Sequence, residues 1–286
     1  MKKSILALAV VLGATSSFAQ DLTSKKGENY LPEAGDWAIG IDASPMLNYV
    51  GNLFGKTADN NYGNGIWAFT NPNMVITGKY FVEDGLAYRA GINIGFMTRT
   101  DRALTQDLTP TATADDMVED MRKMSSNMIL LTGGMEWRKG STRLQGFYGA
   151  ELGLGFGGGS KTTYEYGNAY DVPNGITSLT NAVDGLNADV TEIVDKGGVM
   201  IGLRGFIGAE YFILPKLALG GEFGWGLGFQ TFGEMTTTSQ RLNAAGTAME
   251  ENTVTDRSKA SAFNLGTSNG KGIWGPAARL NLTFHF

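Results

Sequence analysis

From Leu86 to Phe96 the chain alternates without a break. Leu86, Tyr88, Ala90, Ile92, Ile94 and Phe96 hold one parity; Ala87, Arg89, Gly91, Asn93 and Gly95 hold the other. A repeat of two puts successive side chains on opposite faces of a strand, so this segment has one apolar and one mixed face. A helix would scatter the same residues around its axis. Seven more runs carry the same period, at about 36–49, 73–82, 126–137, 143–156, 198–212, 217–229 and 274–286. An ordinary strand has about 5–6 residues, whereas about 9–11 tilted residues cross a bilayer, and these runs reach or exceed that length. Beyond the N-terminus no stretch of 18 apolar residues exists, which excludes spanning helices.

The connections sharpen the reading. Short ones (Val82–Gly85, Arg138–Thr142, Ile213–Lys216) alternate with long ones at about 50–72, 98–125, 157–197 and 230–272. Asp84-Gly85 and Lys139-Gly140 suit tight hairpin turns. Short turns at one rim and long loops at the other describe an up-and-down antiparallel transmembrane β-barrel of eight strands with four long extracellular loops. Trp37, Tyr80, Tyr88, Trp137, Tyr148, Tyr211 and Phe286 then fall at one rim; Tyr49, Phe96, Phe156, Phe229 and Trp274 fall at the other. Two aromatic belts around an aliphatic band fit a membrane and give a soluble sandwich no advantage.

Residues 1–19 pair Lys2 and Lys3 with a short apolar run, Ile5–Leu12, and small residues at Ser17 and Ala19. This predicts an export signal, followed by a short segment at 20–35 and the barrel at 36–286. Cleavage leaves 21 basic against 28 acidic residues, so no nucleic-acid footprint is expected. The absence of cysteine removes disulfides, thiol nucleophiles, Cys-ligated metals and N-terminal Cys lipidation.

The chain resembles the small outer-membrane β-barrel proteins of Gram-negative bacteria. The resemblance rests on the hairpins Lys79–Arg89 and Gly208–Glu222 and on the closing Leu282-Thr283-Phe284-His285-Phe286. It implies location in the outer membrane, contact with outer-membrane lipid, and a terminal signal, Phe284 and Phe286, read by the barrel-insertion machinery. It implies little about activity, because such barrels host many functions.

The parity assigns nine charged residues to the lumen: Asp42, Lys79, Arg89, Glu136, Glu151, Arg204, Glu210, Glu222 and Arg279, four positive and five negative. Eight strands leave an interior that side chains just fill, so this set predicts a plug of buried ion pairs or, alternatively, a narrow polar path. Inward Gly149, Gly153, Gly155, Gly224, Gly226 and Gly228 leave volume there or let strands bend.

Other motifs carry little chemistry. Gly51–Thr57 has three residues between its glycines, against the four of a phosphate loop, and Gly153–Gly158 lacks a following βαβ unit. The single histidine, His285, sits at the end opposite the long loops, so no Ser/His/Asp set forms there. No enzyme activity, cofactor or metal is expected. Asp115, Asp116, Glu119 and Asp120 do not follow a calcium-loop spacing, and Met117, Met121, Met124 and Met128 recur at four, three and four, which predicts a short amphipathic helix. The stretches 162–166 and 235–238 extend strands above the membrane. The function expected is a non-enzymatic barrel displaying loops 157–197 and 230–272 to a surface partner. A passive channel for ions or small solutes, and an accessory subunit of a larger outer-membrane complex, are the alternatives.

Overall fold

A computed structural model describes residues 22–43, 76–168, 180–186, 190–243, 245, 248–266 and 278–286. The export signal, Gly51–Thr57, Tyr49 and Trp274 lie outside the described residues.

Among the described residues every regular element is a strand: β1 (Trp37–Asp42), β2 (Ile76–Glu83), β3 (Leu86–Gln106), β4 (Met117–Lys139), β5 (Leu144–Glu165), β6 (Val190–Asp195), β7 (Gly198–Leu214), β8 (Leu217–Phe232), β9 (Met235–Leu242), β10 (Met249–Arg257), β11 (Ala260–Gly266) and β12 (Ala278–His285). Eight of them close on themselves, all antiparallel. The ring runs β1-β2-β3-β4-β5-β7-β8-β12 and returns to β1 through Ile39↔Phe284 and neighbouring pairs. Closure removes both sheet edges, which is the barrel solution to an otherwise open ladder.

The alternation sorts the two faces as its period requires. Ile92, Ile94, Leu131, Leu152, Leu154, Ile201, Leu203 and Leu280 all stand exposed on the outside. Trp37 packs on Tyr80 with ring centroids 4.8 Å apart, and Trp137 stacks on Tyr148 at 5.8 Å, both on the rim near the short turns. Phe96, Phe156 and Phe229 are exposed further up. Tyr88 and Phe96 are eight residues apart on β3, roughly 26 Å along the strand and about 20 Å along an axis tilted by about 40°.

Beyond the second belt the strands run on. β3 and β4 stay paired from Leu86↔Trp137 to Gln106↔Met117. A strand of 21 residues is about 70 Å long at about 3.3 Å per residue. The segments read as loops at 98–125 and 230–272 are therefore largely ladder, and 157–197 is ladder at both ends, over 157–165 and 190–195. β6 continues β7 across Lys196-Gly197, and β9 continues β8 across Gly233-Glu234, in one register (Met200↔Gln230, Asp195↔Met235). A six-stranded sheet, β3-β4-β5-β6-β9-β10, thus stands above the ring. β5 bends into it at Gly157 and Gly158, whose φ angles of 109° and 75° disfavour a side chain. The expected strand extensions belong to this sheet at 235–238 and at 162–165, Tyr166 lying one residue past the end of β5.

The helix expected over the methionines does not form. Met117, Met121, Met124 and Met128 lie on β4, opposite Gln106, Arg102, Arg99 and Gly95. Met117 and Met121 fall on one parity of that strand and Met124 and Met128 on the other. The unbroken register with β3, from Leu86↔Trp137 to Gln106↔Met117, holds the segment as a strand, and tertiary pairing overrides local propensity.

Residues 22–36 lie under the short-turn rim. The Gly35 N–H donates to the Phe81 carbonyl at 2.8 Å, the Ala34 N–H to Asp84 Oδ1 at 3.0 Å, and Lys216 forms an ion pair with Asp36. The Arg143 guanidinium covers the Tyr30 ring at 4.1 Å while donating to the Phe212 and Ile213 carbonyls.

Candidate functional site

Parity and register deliver the charged side chains to the lumen in opposed pairs. Glu151 on β5 stands directly across from Arg204 on β7, and Glu222 on β8 from Arg279 on β12. Lys79 and Arg89 are also direct neighbours, two like charges that would repel in isolation. Glu136 on β4 resolves that conflict: it accepts from Lys79 at 3.0 Å and from Arg89 at 3.5 Å.

Longer reaches cross the barrel. Four places separate β3 from β8 in the ring of eight, so they are diametrically opposed, as are β2 and β7. Arg89 Nη1 nevertheless donates to Glu222 Oε2 at 2.5 Å, and Lys79 Nζ donates to Glu210 Oε1 at 2.8 Å. Arg204 bridges Glu151 at 2.8 Å and Glu222 at 2.6 Å. Eight of the nine lumen residues named from sequence are buried: Lys79, Arg89, Glu136, Glu151, Arg204, Glu210, Glu222 and Arg279. The ninth, Asp42, pairs through its backbone with Asn281, and its side chain lies outside the described set.

Arg138 is expected in the turn at 138–142. β4 continues through it, and two residues beyond Glu136 it points the same way. It donates to Glu136 at 3.0 Å and to Glu210 at 2.9 Å, adding a fifth buried cation opposite four glutamates among the described residues. The i, i+2 parity with Glu136 was the signal available.

Aromatic rings complete the packing. The Arg89 guanidinium lies over Phe206 at 4.5 Å and Lys79 over Phe147 at 5.1 Å. Arg138 stands near both Phe81 and Phe212, at 5.5 and 5.9 Å. Cations over ring faces gain more when water is excluded. Nearer the short-turn rim, His285 sits between Phe81 and Phe212, with centroids 5.5 and 5.1 Å away.

Three of the inward glycines, Gly149, Gly155 and Gly224, are sockets of this packing. A Cβ at Gly224 would overlap the Arg204 guanidinium, one at Gly149 would overlap the Phe206 ring, and one at Gly155 would crowd Met200. Large residues on one strand fill the space that glycine leaves on the next, the small-against-large pattern of a filled small barrel.

The acidic residues of the β3–β4 tip take separate structural tasks. Asp116 Oδ2 accepts from the Thr113 N–H at 2.7 Å, Glu119 pairs with Arg102 at 2.7 Å, and buried Asp120 accepts from the Gly167 and Ala182 N–H groups at 2.9 and 2.8 Å. On the inner face of the upper sheet, hydrogen bonds from Arg122 and Arg99 hold the Asp101 carboxyl below the usual carboxylate range.

No protein-family profile matches the chain, and no curated protein matches it in sequence.

Proposed function

We propose that this chain is a closed, non-enzymatic β-barrel of the bacterial outer membrane whose tall strand arms present a surface to a partner. The apolar girdle supports the membrane reading. Soluble monomers rarely expose apolar patches larger than a few hundred Å², whereas here the described outward parity of the ring strands is apolar, with aromatics at the short-turn rim and Phe96, Phe156 and Phe229 above. The resemblance to small Gram-negative barrels and the export signal support the same location, with outer-membrane lipid and the insertion machinery as partners.

One observation carries the choice of a closed barrel: the Arg89–Glu222 and Lys79–Glu210 pairs span the lumen wall to wall. Side chains that meet across the diameter leave no continuous aqueous path at that level. Substrate transport then has no route, and the mass of ordered chain above the girdle becomes the functional part.

Planar-bilayer recording on the folded barrel tests this, with heat-modifiable mobility on a gel as the control for folding. The expected result is a silent membrane for the wild type. Discrete steady openings from heat-modifiable protein would replace the display reading with the channel reading.

A further inference from the structure

We infer that the outer face of the β3–β4 tip is a docking surface for a cationic, amphipathic segment of another protein. This deepens the display reading and rests on it.

The two faces of the tip are treated differently. The inner face is covered by the chain itself. Gly167 lies against Val118, and Asp120, buried to 2% exposure, accepts the N–H groups of Gly167 and Ala182. Asn168 acts as a strand substitute at the end of β3: its Oδ1 accepts from the Leu108 N–H at 2.8 Å and its Nδ2 donates to the Gln106 carbonyl at 2.9 Å. Buried polar groups satisfied in this way fix one conformation of the tip.

Nothing among the described residues covers the outer face. Leu104 is 66% exposed, Met117 50% and Leu108 45%. The register Leu104↔Glu119 and Gln106↔Met117 makes Leu104 and Met117 diagonal neighbours on one face. Leu104 lies eight residues past Phe96, roughly 26 Å further along the strand. The lipid that would cover the girdle therefore does not reach it.

Charge selects the partner. From Ala103 to Met121 the chain has no lysine or arginine and five carboxylates, Asp107, Asp115, Asp116, Glu119 and Asp120. With Asp120 buried and Glu119 paired to Arg102, a rim of Asp107, Asp115 and Asp116 remains beside the apolar residues. Lysine or arginine side chains alternating with aliphatic ones would satisfy both. An acidic or purely polar partner would leave one of them unmatched. A rigid, partly apolar surface binds with less ordering cost than a mobile loop.

The test uses the full mature barrel in uncharged detergent, with a fluorescent leucine–lysine peptide as probe and empty micelles as background. Leu104→Ser with Met117→Ser should weaken binding about ten-fold, the loss expected from removing two apolar anchors. Asp115→Asn with Asp116→Asn should weaken it several-fold and flatten its salt dependence. Glu250→Gln with Glu251→Gln, a second pair of acidic residues on the exposed β10, should leave it unchanged. A glutamate-for-lysine peptide should not bind. Absence of lysine-peptide binding, or binding that all four proteins share or that the β10 variant loses equally, overturns the docking surface. The display reading is tested separately. Because the chain has no cysteine, Leu104→Cys is a unique handle. Labelling of intact cells by a membrane-impermeant maleimide supports display. Failure to label, with labelling restored after cell rupture, ends it whatever the peptide does.

Discussion

Arg89 on β3 and Glu222 on β8 meet at 2.5 Å from opposite walls of the barrel. The pair is buried, and each member has further partners: Arg89 lies 3.5 Å from Glu136, and Glu222 lies 2.6 Å from Arg204. Breaking one side of such a pair strands charge in a place water does not reach, so Arg89→Ala should lower stability by about 3–5 kcal/mol. Replacing both, Arg89→Met with Glu222→Leu, should recover most of that loss, because an apolar filling carries no desolvation penalty. Urea unfolding of the barrel in lipid vesicles measures both. Equal losses for the single and double variants would show that the rings, and not the ions, hold the lumen.

Gly224 is a socket for Arg204, and filling it should displace the guanidinium from Glu151 and Glu222. Gly224→Val should cost about 1–3 kcal/mol by overpacking, with the effect much reduced in an Arg204→Ala background. The same unfolding assay reads the coupling. Additive losses would mean that the glycine serves strand curvature instead.

Leu152 and Leu203 are cross-strand neighbours on the outer face, each about half exposed. If that face meets lipid, Leu152→Arg should reduce insertion by about 2–4 kcal/mol, the range for a cation near the bilayer midplane. On a water-facing surface the same change would be close to neutral. The folded fraction in vesicles separates the two cases.

The upper sheet should respond to acid through Asp101. Its carboxyl is held below the ordinary range by hydrogen bonds from Arg122 and then Arg99, with 2.7 Å contacts to each. A carboxyl with a lower folded than unfolded pKa adds stability that is fully present above its unfolded value, near 3.8, and is lost as pH falls through the folded value. Amide exchange of the upper parts of β3 and β4 should therefore be insensitive to pH-linked opening from neutrality to about pH 4 and loosen below it. Asp101→Asn should remove the acid-dependent step. An unchanged profile in that variant would assign the step to other carboxylates.

Much of the barrel was legible in the residues because period two is a local property. Whether Leu152 and Glu151 face apart follows from strand geometry alone, and so does the inward aim of eight lumen charges. The end of a strand is harder to read. Arg138 was hidden because Lys139-Gly140 signals a turn, and whether a ladder stops one residue earlier or later depends on its partner. The arms were misread for a related reason. Residues 98–125 have polar side chains on both parities once the sheet leaves the apolar girdle, and a strand wetted on both faces looks like a loop. The Met117–Met128 spacing then offered a helix that only the pairing with β3 could veto.

The sequence by itself determined the all-β class, the eight period-two runs whose strands form the ring, and the sorting of apolar and charged residues to opposite faces, because each depends on parity along one chain. The tertiary structure decided what spans the diameter. Arg89 and Glu222 are 133 residues apart, and no local pattern says that closure brings β3 opposite β8. It also decided that the space beside Gly224 and Gly149 is filled by a neighbour's guanidinium or ring, and that much of 98–125 and 230–257 stands as a sheet. These outcomes depend on which strands become neighbours, and closure of the ring fixes that.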